Sequence, residues 1–222
     1  MTLPRRLAPA LLAAGGLALL LGGCTSVLPD LGGPPPDLYV LTPKSTFKPG
    51  LPKVDWQLVV EEPSAAGGLD TNRIALTMRP IELQYFASSR WTERAPRMVQ
   101  TLLVESFENS GRIVGVGREV IGLRSDFNLK SELREFQAEY ADPDRPPLVR
   151  VRLNIKLVRQ PRRQIVASRN IEGVATASGG SMPEIVQGFD AALGKVLRRT
   201  VEWALEQGAM EMAQKPASGS LR

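Results

Sequence analysis

The chain of 222 residues contains no histidine and a single cysteine. The first absence removes His-based triads, the commonest general base and most transition-metal sites. The second removes disulfides, so the fold must hold by its core alone. Aromatic residues make up only 5%, and charge of one sign is not in large excess: 28 Lys and Arg stand against 23 Asp and Glu, a formal +5. Arg5 and Arg6 precede the first apolar run, and without them the balance falls to +3, too mild to argue for nucleic acid. What is present is apolar material, 43% of the residues, enough for one core of ordinary size.

The one cysteine, Cys24, closes the tetrapeptide Leu21-Gly22-Gly23-Cys24. Ahead of it, Leu7 to Leu21 is apolar and follows Arg5 and Arg6, the layout of a secretory signal peptide. Leu-Gly-Gly-Cys looks like a bacterial lipobox, whose cysteine receives a diacylglycerol and becomes the first residue of the mature protein. The thiol is needed for the thioether, and the small residues let the peptidase reach the bond. A spanning anchor is the weaker reading, because the run is about 15 residues and contains Pro9, whereas a spanning helix needs roughly 20. A soluble secreted protein leaves Cys24 unexplained. We therefore expect residues 1–23 to be a signal peptide and Cys24 to carry a diacylglycerol and an N-acyl chain, with no other cofactor and no metal. Thr25 follows, not the aspartate that retains many Gram-negative lipoproteins at the inner membrane, so the sorting rule directs the chain to the outer membrane, facing the periplasm. Residues 24–37 read as a tether stiffened by Pro34-Pro35-Pro36. The thirteen residues after Cys24, 25–37, reach at most about 40 Å.

The folded domain is expected over 38–208, with a loose tail over 209–222. Leu38 to Pro43 and Val54 to Glu61 read as short strands, the second with Val54, Trp56, Leu58 and Val60 on one face. Ile74, Leu76 and Met78 alternate, Pro80 interrupts, and Ile81, Leu83 and Tyr85 resume, which fits a hairpin or a bent strand. Ser88 and Ser89 offer a helix cap, and Trp91, Ala95, Met98, Val99, Leu102, Leu103 and Phe107 follow at helical spacing up to Gly111. Pro96 belongs in the first turn or kinks the helix. A strand over 112–117 follows. Over 128–140 the spacing of Leu129, Leu133, Phe136 and Tyr140 favours a helix, and a strand there needs a bulge. Val149 to Leu157 and Ile165 to Ala175 alternate as an antiparallel pair with one wet face. Ser181-Met182-Pro183-Glu184 is a capping box that opens the strongest helix, reaching Leu205. The fold class is α+β: a mostly antiparallel sheet packed by two long amphipathic helices in a single domain.

Three segments resemble a known family. They are Leu38-Tyr-Val-Leu-Thr-Pro43; Leu69-Asp-Thr-Asn-Arg-Ile74 with Tyr85-Phe-Ala-Ser-Ser-Arg-Trp91; and Phe107-Glu-Asn-Ser-Gly-Arg112 with Asp126-Phe-Asn-Leu-Lys130 and Leu133-Arg-Glu-Phe136. Their order resembles the ABC-type transport auxiliary lipoproteins, PqiC-like proteins that accompany Mce-domain proteins. The resemblance covers most of 38–205. It implies that 126–140 is a bulged strand, and we take that over the helical period. It also implies a non-enzymatic part in lipid traffic between the two membranes, beside a periplasmic Mce protein, an inner-membrane permease and an ATPase. Some members assemble into rings. No catalytic residue is carried over.

Candidate contact residues remain. Trp91, with Arg90, heads the first expected helix; a partner contact and a core role are both open, and the core role is the default. Arg159, Arg162 and Arg163 gather at a hairpin tip and suit anionic headgroups or an acidic partner, against a plain solvated turn. Arg150, Arg152 and Lys156 share a strand face that is either a basic stripe or an ordinary wet face. Gly111, Gly115 and Gly117 lack a dinucleotide fingerprint, since Val120 stands where the third glycine belongs. Asp142 and Asp144 lack the spacing and terminal glutamate of a calcium loop. Three functions compete: an auxiliary subunit of an ABC/Mce lipid transporter, touching phospholipid itself or only bracing; a structural envelope lipoprotein of a secretion or assembly machine; and a carboxylate hydrolase, for which no close carboxylate pair is found.

Overall fold

The computed structural model describes residues 34–118 and 124–214. The expected signal peptide, Cys24 and most of the tether lie outside the described residues, as do 215–222 of the expected tail. In chain order the elements are β1 (Asp37–Tyr39), β2 (Val54–Val60), β3 (Ser64–Ala65), β4 (Arg73–Arg79), β5 (Glu82–Trp91), α1 (Ala95–Ser110), β6 (Ile113–Arg118), β7 (Phe127–Glu139), β8 (Leu148–Arg159), β9 (Gln164–Thr176) and α2 (Met182–Ala213).

The sheet is assembled on β7. One edge of β7 pairs antiparallel with β8, which pairs antiparallel with β9. The other edge takes three strands end to end, all parallel to it: β2 beside Phe127 to Leu129, β3 beside Glu132 and Leu133, and β4 beside Gln137 to Glu139. Two branches grow from these. β2 holds β6 in parallel, while β4 folds back into β5 as a hairpin, and β1 joins the far end of β5 in parallel. The long ladders are antiparallel and the short additions parallel, so the domain is α+β with a mostly antiparallel sheet and two helices.

The alternation of β8 explains its place. Val149, Val151, Leu153, Ile155 and Leu157 are fully buried, while Arg150, Arg152 and Asn154 are half-exposed and Lys156 exposed. β7 explains why its own spacing looks helical. Its register against β8 shifts between Leu133 and Glu135. The extra residue moves the core face from Leu129 and Leu133 to Phe136 and Ala138, all of them buried. A bulge in a strand therefore mimics a 3.6-residue period, and the implied strand is what forms.

The first helix starts later than its apolar spacing suggests. Ser88 and Ser89 lie in β5, and the N–H groups of Trp91 and Thr92 donate to the carbonyls of Asn72 and Tyr39 at 2.8 and 3.1 Å. Those donors are spent on the sheet, so α1 opens only at Ala95, with Pro96 in its first turn and Gly111 left-handed at its end (φ 59°). Trp91 keeps helical spacing with α1 only because both face one core.

The second helix does not stop at Gly208. It runs to Ala213, and Gly208 sits under the indole of Trp56, where a Cβ would come within 2.4 Å of Cζ2. The glycine permits a close approach rather than ending the helix, so the expected tail begins too early. At the other end the Glu184 carboxylate accepts hydrogen bonds from the Ser181 backbone N–H at 3.0 Å and from its Oγ at 2.6 Å. The Ser181 hydroxyl, then its backbone N–H, hold the Glu184 carboxyl below its ordinary value. A depressed carboxyl favours the folded state above the ordinary carboxylate range and loses that contribution as pH falls through its folded value. Glu184→Gln should therefore lower the melting temperature near neutrality, and the gap to the parent should narrow as pH falls through and below the ordinary carboxylate range. Melting curves near neutrality and in acid check this; a gap undiminished in acid would sink it.

A strap between β1 and β2 crosses the helices. The Thr42 N–H and Oγ1 donate to the Asp190 carboxylate at 2.7 and 2.9 Å, the Lys44 N–H donates to Ser106 Oγ at 2.9 Å, and the Lys48 N–H donates to Glu202 at 2.9 Å. The Lys48 ammonium also pairs with Glu206, which raises it above its usual value.

Candidate functional site

The three arginines at the β8–β9 hairpin do different things. Arg159, at the end of β8, is mostly buried. Its guanidinium donates to the Glu211 carboxylate at 2.7 Å and to the Glu211 carbonyl at 3.4 Å, and lies 3.6 Å from Met212 Sδ. It is a tie between the hairpin and the last turns of α2, which sequence spacing alone did not reveal. The hairpin base is held again by the Gln160 N–H, which donates to the Asp126 carbonyl at 2.8 Å, while the Asp126 carboxylate accepts from the Gln57 N–H at 2.9 Å. Arg162 and Arg163 stand beyond this base, both exposed, and Arg163 has a left-handed backbone (φ 54°). Neither makes a side-chain ion pair among the described residues. The result is a fixed base presenting two cations to solvent. Removing the tie should matter more to the fold than removing the presented charges. Arg159→Ala should cost about 1.5 kcal/mol, the usual worth of a hydrogen bond to a charged group, and Arg162→Ala with Arg163→Ala less than about 0.5 kcal/mol. Urea unfolding of the two variants distinguishes the roles, and equal costs would show that Arg159 is no tie.

Trp91 is in the core and has no surface to offer a partner. It is 0% exposed, with its ring 5.2 Å from that of Phe189 and 5.6 Å from that of Phe136. The contact role open to it in the sequence is therefore withdrawn, and the core role stands.

The wet face of the sheet is a ladder of alternating charge, not a basic stripe. Arg150 lies between Glu139, 2.9 Å away, and Glu172, and the Glu139 carboxylate holds it above its usual value. Arg152 pairs with Glu135 at 2.8 Å, and Lys130 with Glu61 at 2.8 Å. Cross-strand carboxylates thus neutralise Arg150 and Arg152, whereas Lys156 is exposed, lies opposite Lys130 and makes no ion pair among the described residues.

Two shallow hollows flank the outer side of α2, of about 480 and 370 Å³, and both touch Lys195 and Arg198. Their cations are scattered in sequence, and only the 195, 198, 199 spacing signals them. Lys195 Nζ donates to the Val174 carbonyl at 2.7 Å, and Arg199 to the Glu172 carbonyl at 2.6 Å. Both carbonyls lie on β9, an edge strand paired only with β8. The two cations therefore cap an open strand edge, a device that discourages edge-to-edge pairing. Among the described residues, no group of three or more metal-ligating side chains occurs. No described helix is long and apolar enough to cross a membrane.

Comparison with known proteins gives three findings. The family model described as "ABC-type transport auxiliary lipoprotein component" matches residues 39–201. The chain is similar to the crystal structure of protein XCC0632 from Xanthomonas campestris, with a TM-score of 0.76 at 32% identity, covering 80% of this chain and 99% of that one. It is also 26% identical over 198 residues to the uncharacterized protein bll6063 of Bradyrhizobium diazoefficiens, covering 86% of this chain and 52% of that protein. The chain thus spans about half the length of the curated relative it matches.

Proposed function

From the premise that this chain belongs to the family of ABC-type transport auxiliary lipoprotein components, we propose that it is the lipid-anchored, periplasm-facing auxiliary subunit of an ABC/Mce-type intermembrane lipid transport system. Cys24 carries the diacylglycerol and the N-acyl chain, and residues 25–36 tether the domain to the outer membrane. The subunit performs no chemistry. It docks or braces a periplasmic Mce-domain protein, whose system also includes an inner-membrane permease and an ATPase. The observation that carries this reading is the family match across 39–201, joined to Leu-Gly-Gly-Cys at 21–24.

The surface best suited to the partner is the β8–β9 hairpin tip. Arg162 and Arg163 stand on a base tied twice to the rest of the fold, so little ordering is needed when an acidic surface meets them. A photo-crosslinking residue at position 162, used in cells, should capture the Mce-domain protein. Reversing both charges, Arg162→Glu with Arg163→Glu, should lower that yield about tenfold without moving the melting temperature. Capture of a secretion or assembly component in place of an Mce protein would favour a structural envelope lipoprotein instead. An undiminished yield after charge reversal would take the contact off this hairpin.

A further inference from the structure

The β4–β5 hairpin breaks a local rule. Its turn is Pro80-Ile81, and the Ile81 side chain is 97% exposed. Such turns ordinarily use Gly, Asn, Asp or Ser, whose backbone freedom or short polar side chains suit the bend. Nothing in the backbone here asks for isoleucine. Met78 on one arm is 49% exposed and Leu83 on the other 40%. The β4–β5 register shifts between Leu76 and Arg79, so Met78 does not simply continue the side on which Ile74 and Leu76 are buried, and Leu83 lies close to Gly68. Exposed apolar groups thus occupy both arms and the apex of a narrow projection, with the largely exposed guanidinium of Arg79 and the Glu82 carboxylate, 4.0 Å apart, beside them.

That shape and its position point to one kind of neighbour. A folded partner is matched by a flat or concave patch on one face. Three apolar side chains at a two-residue turn offer too little area for a stable protein interface and suit a fluid medium that closes around them, with a cation able to snorkel to the polar boundary. β1 runs parallel to β5, with Asp37 opposite Ser89, so β1 begins at its end nearer the β4–β5 turn. The Arg162 and Arg163 tip hangs at the other end of β7, which is 13 residues long, a separation of roughly 40 Å along the strand.

We propose that Met78, Ile81 and Leu83 form a lipid-contacting wedge that dips into the interface of the membrane carrying the chain. This rests on the anchored reading of Cys24, which keeps the domain within tether reach of that membrane. The wedge adds an orientation: the β4–β5 end faces lipid and the β8–β9 tip faces away.

The test uses the mature lipoprotein carrying Ile81→Cys, with Cys24 acylated, so that the new thiol alone takes an environment-sensitive fluorophore. The labelled protein is reconstituted into vesicles of phosphatidylethanolamine and phosphatidylglycerol. Val114→Cys on β6, an exposed position on the other branch of the sheet, is the reference. Emission at 81 should shift to the blue, and spin-labelled lipid should quench it at least about threefold more than at 114. Met78→Ser with Leu83→Ser should abolish the difference. Equal quenching at 81 and 114 would overturn the wedge, and a shift that appears only when a partner protein is added would overturn it in favour of a protein dock. Labelling at Cys24 would show a free thiol and sink the anchor; a shift at 81 in such a chain would still uphold the wedge, and no shift would remove both.

Discussion

Trp91→Ala should cost the fold about 3–5 kcal/mol, the range for deleting a buried aromatic ring. The ring is fully buried and meets Phe189 and Phe136 at 5.2 and 5.6 Å, and those two rings are themselves 5.2 Å apart. The three aromatics come from β5, α2 and β7, so the cluster fastens the β4–β5–β1 branch to the body of the domain. A domain of this size has only about 5–15 kcal/mol in total, so the loss would leave much of it close to unfolding at 37 °C. Trp91→Phe is the instructive control. The indole Nε1–H finds no acceptor among the described residues, and an unpaired buried donor is itself costly. Phenylalanine gives up volume but also removes that donor, so it should cost only about 1–2 kcal/mol. Urea unfolding followed by circular dichroism reads both. If Trp91→Ala stayed within about 0.5 kcal/mol of the parent, the cluster would not be what holds the branch.

Cys24→Ala should move the protein almost completely from the membrane to the soluble periplasmic fraction. Each buried methylene contributes about 0.8 kcal/mol to membrane affinity, and three acyl chains bury dozens of them, so no interfacial contact of the domain could replace the loss. The variant should fold normally, since among the described residues the buried core begins at Leu41. Labelling cells with a palmitate analogue before fractionation checks both points. Label on the parent in the outer membrane and none on the variant fits the anchor. Label at the inner membrane would keep the lipid and overturn the sorting read from Thr25. An unlabelled parent would remove the anchor altogether.

How much of this was legible in the sequence depends on whether a residue's partner is near it in the chain. β8 and β9 were readable because five apolar residues alternate without interruption in β8, and α2 because its capping box and apolar spacing are both local. β7 was misleading because one bulge residue at the centre of a strand produces helical spacing, and only the family resemblance corrected it. The start of α1 was misplaced because what excludes Ser88 and Ser89 from the helix is sheet pairing from residues 15 or more positions away. The domain boundary at 208 falls short of the helix end at Ala213 because the Trp56 indole that packs on Gly208 lies far upstream in the chain. Whether Arg150, Arg152 and Lys156 made a basic stripe or an ordinary wet face stayed open because the carboxylates that pair with the two arginines sit on neighbouring strands. The hairpin at Ile81 passed as ordinary alternation, since nothing in the sequence reports which apolar residues the helices leave uncovered. A Pro-Ile pair at a turn was the one local signal there.

The strap over the helices has a mechanical meaning. If the transport assembly pulls on the domain while lipid holds its amino end, the load enters through β1, which exchanges only three residue pairs with β5. Because β1 lies parallel to β5 and begins at its end nearer the β4–β5 turn, tension on that end would act along the strand. The interstrand bonds are then loaded together in shear instead of being unzipped one by one. Beyond them the force meets Thr42 on Asp190 and Lys48 on Glu202 and Glu206, two clamps spaced along one helix. Under such a load the strap would act as a strain relief between the amino end of the domain and its core.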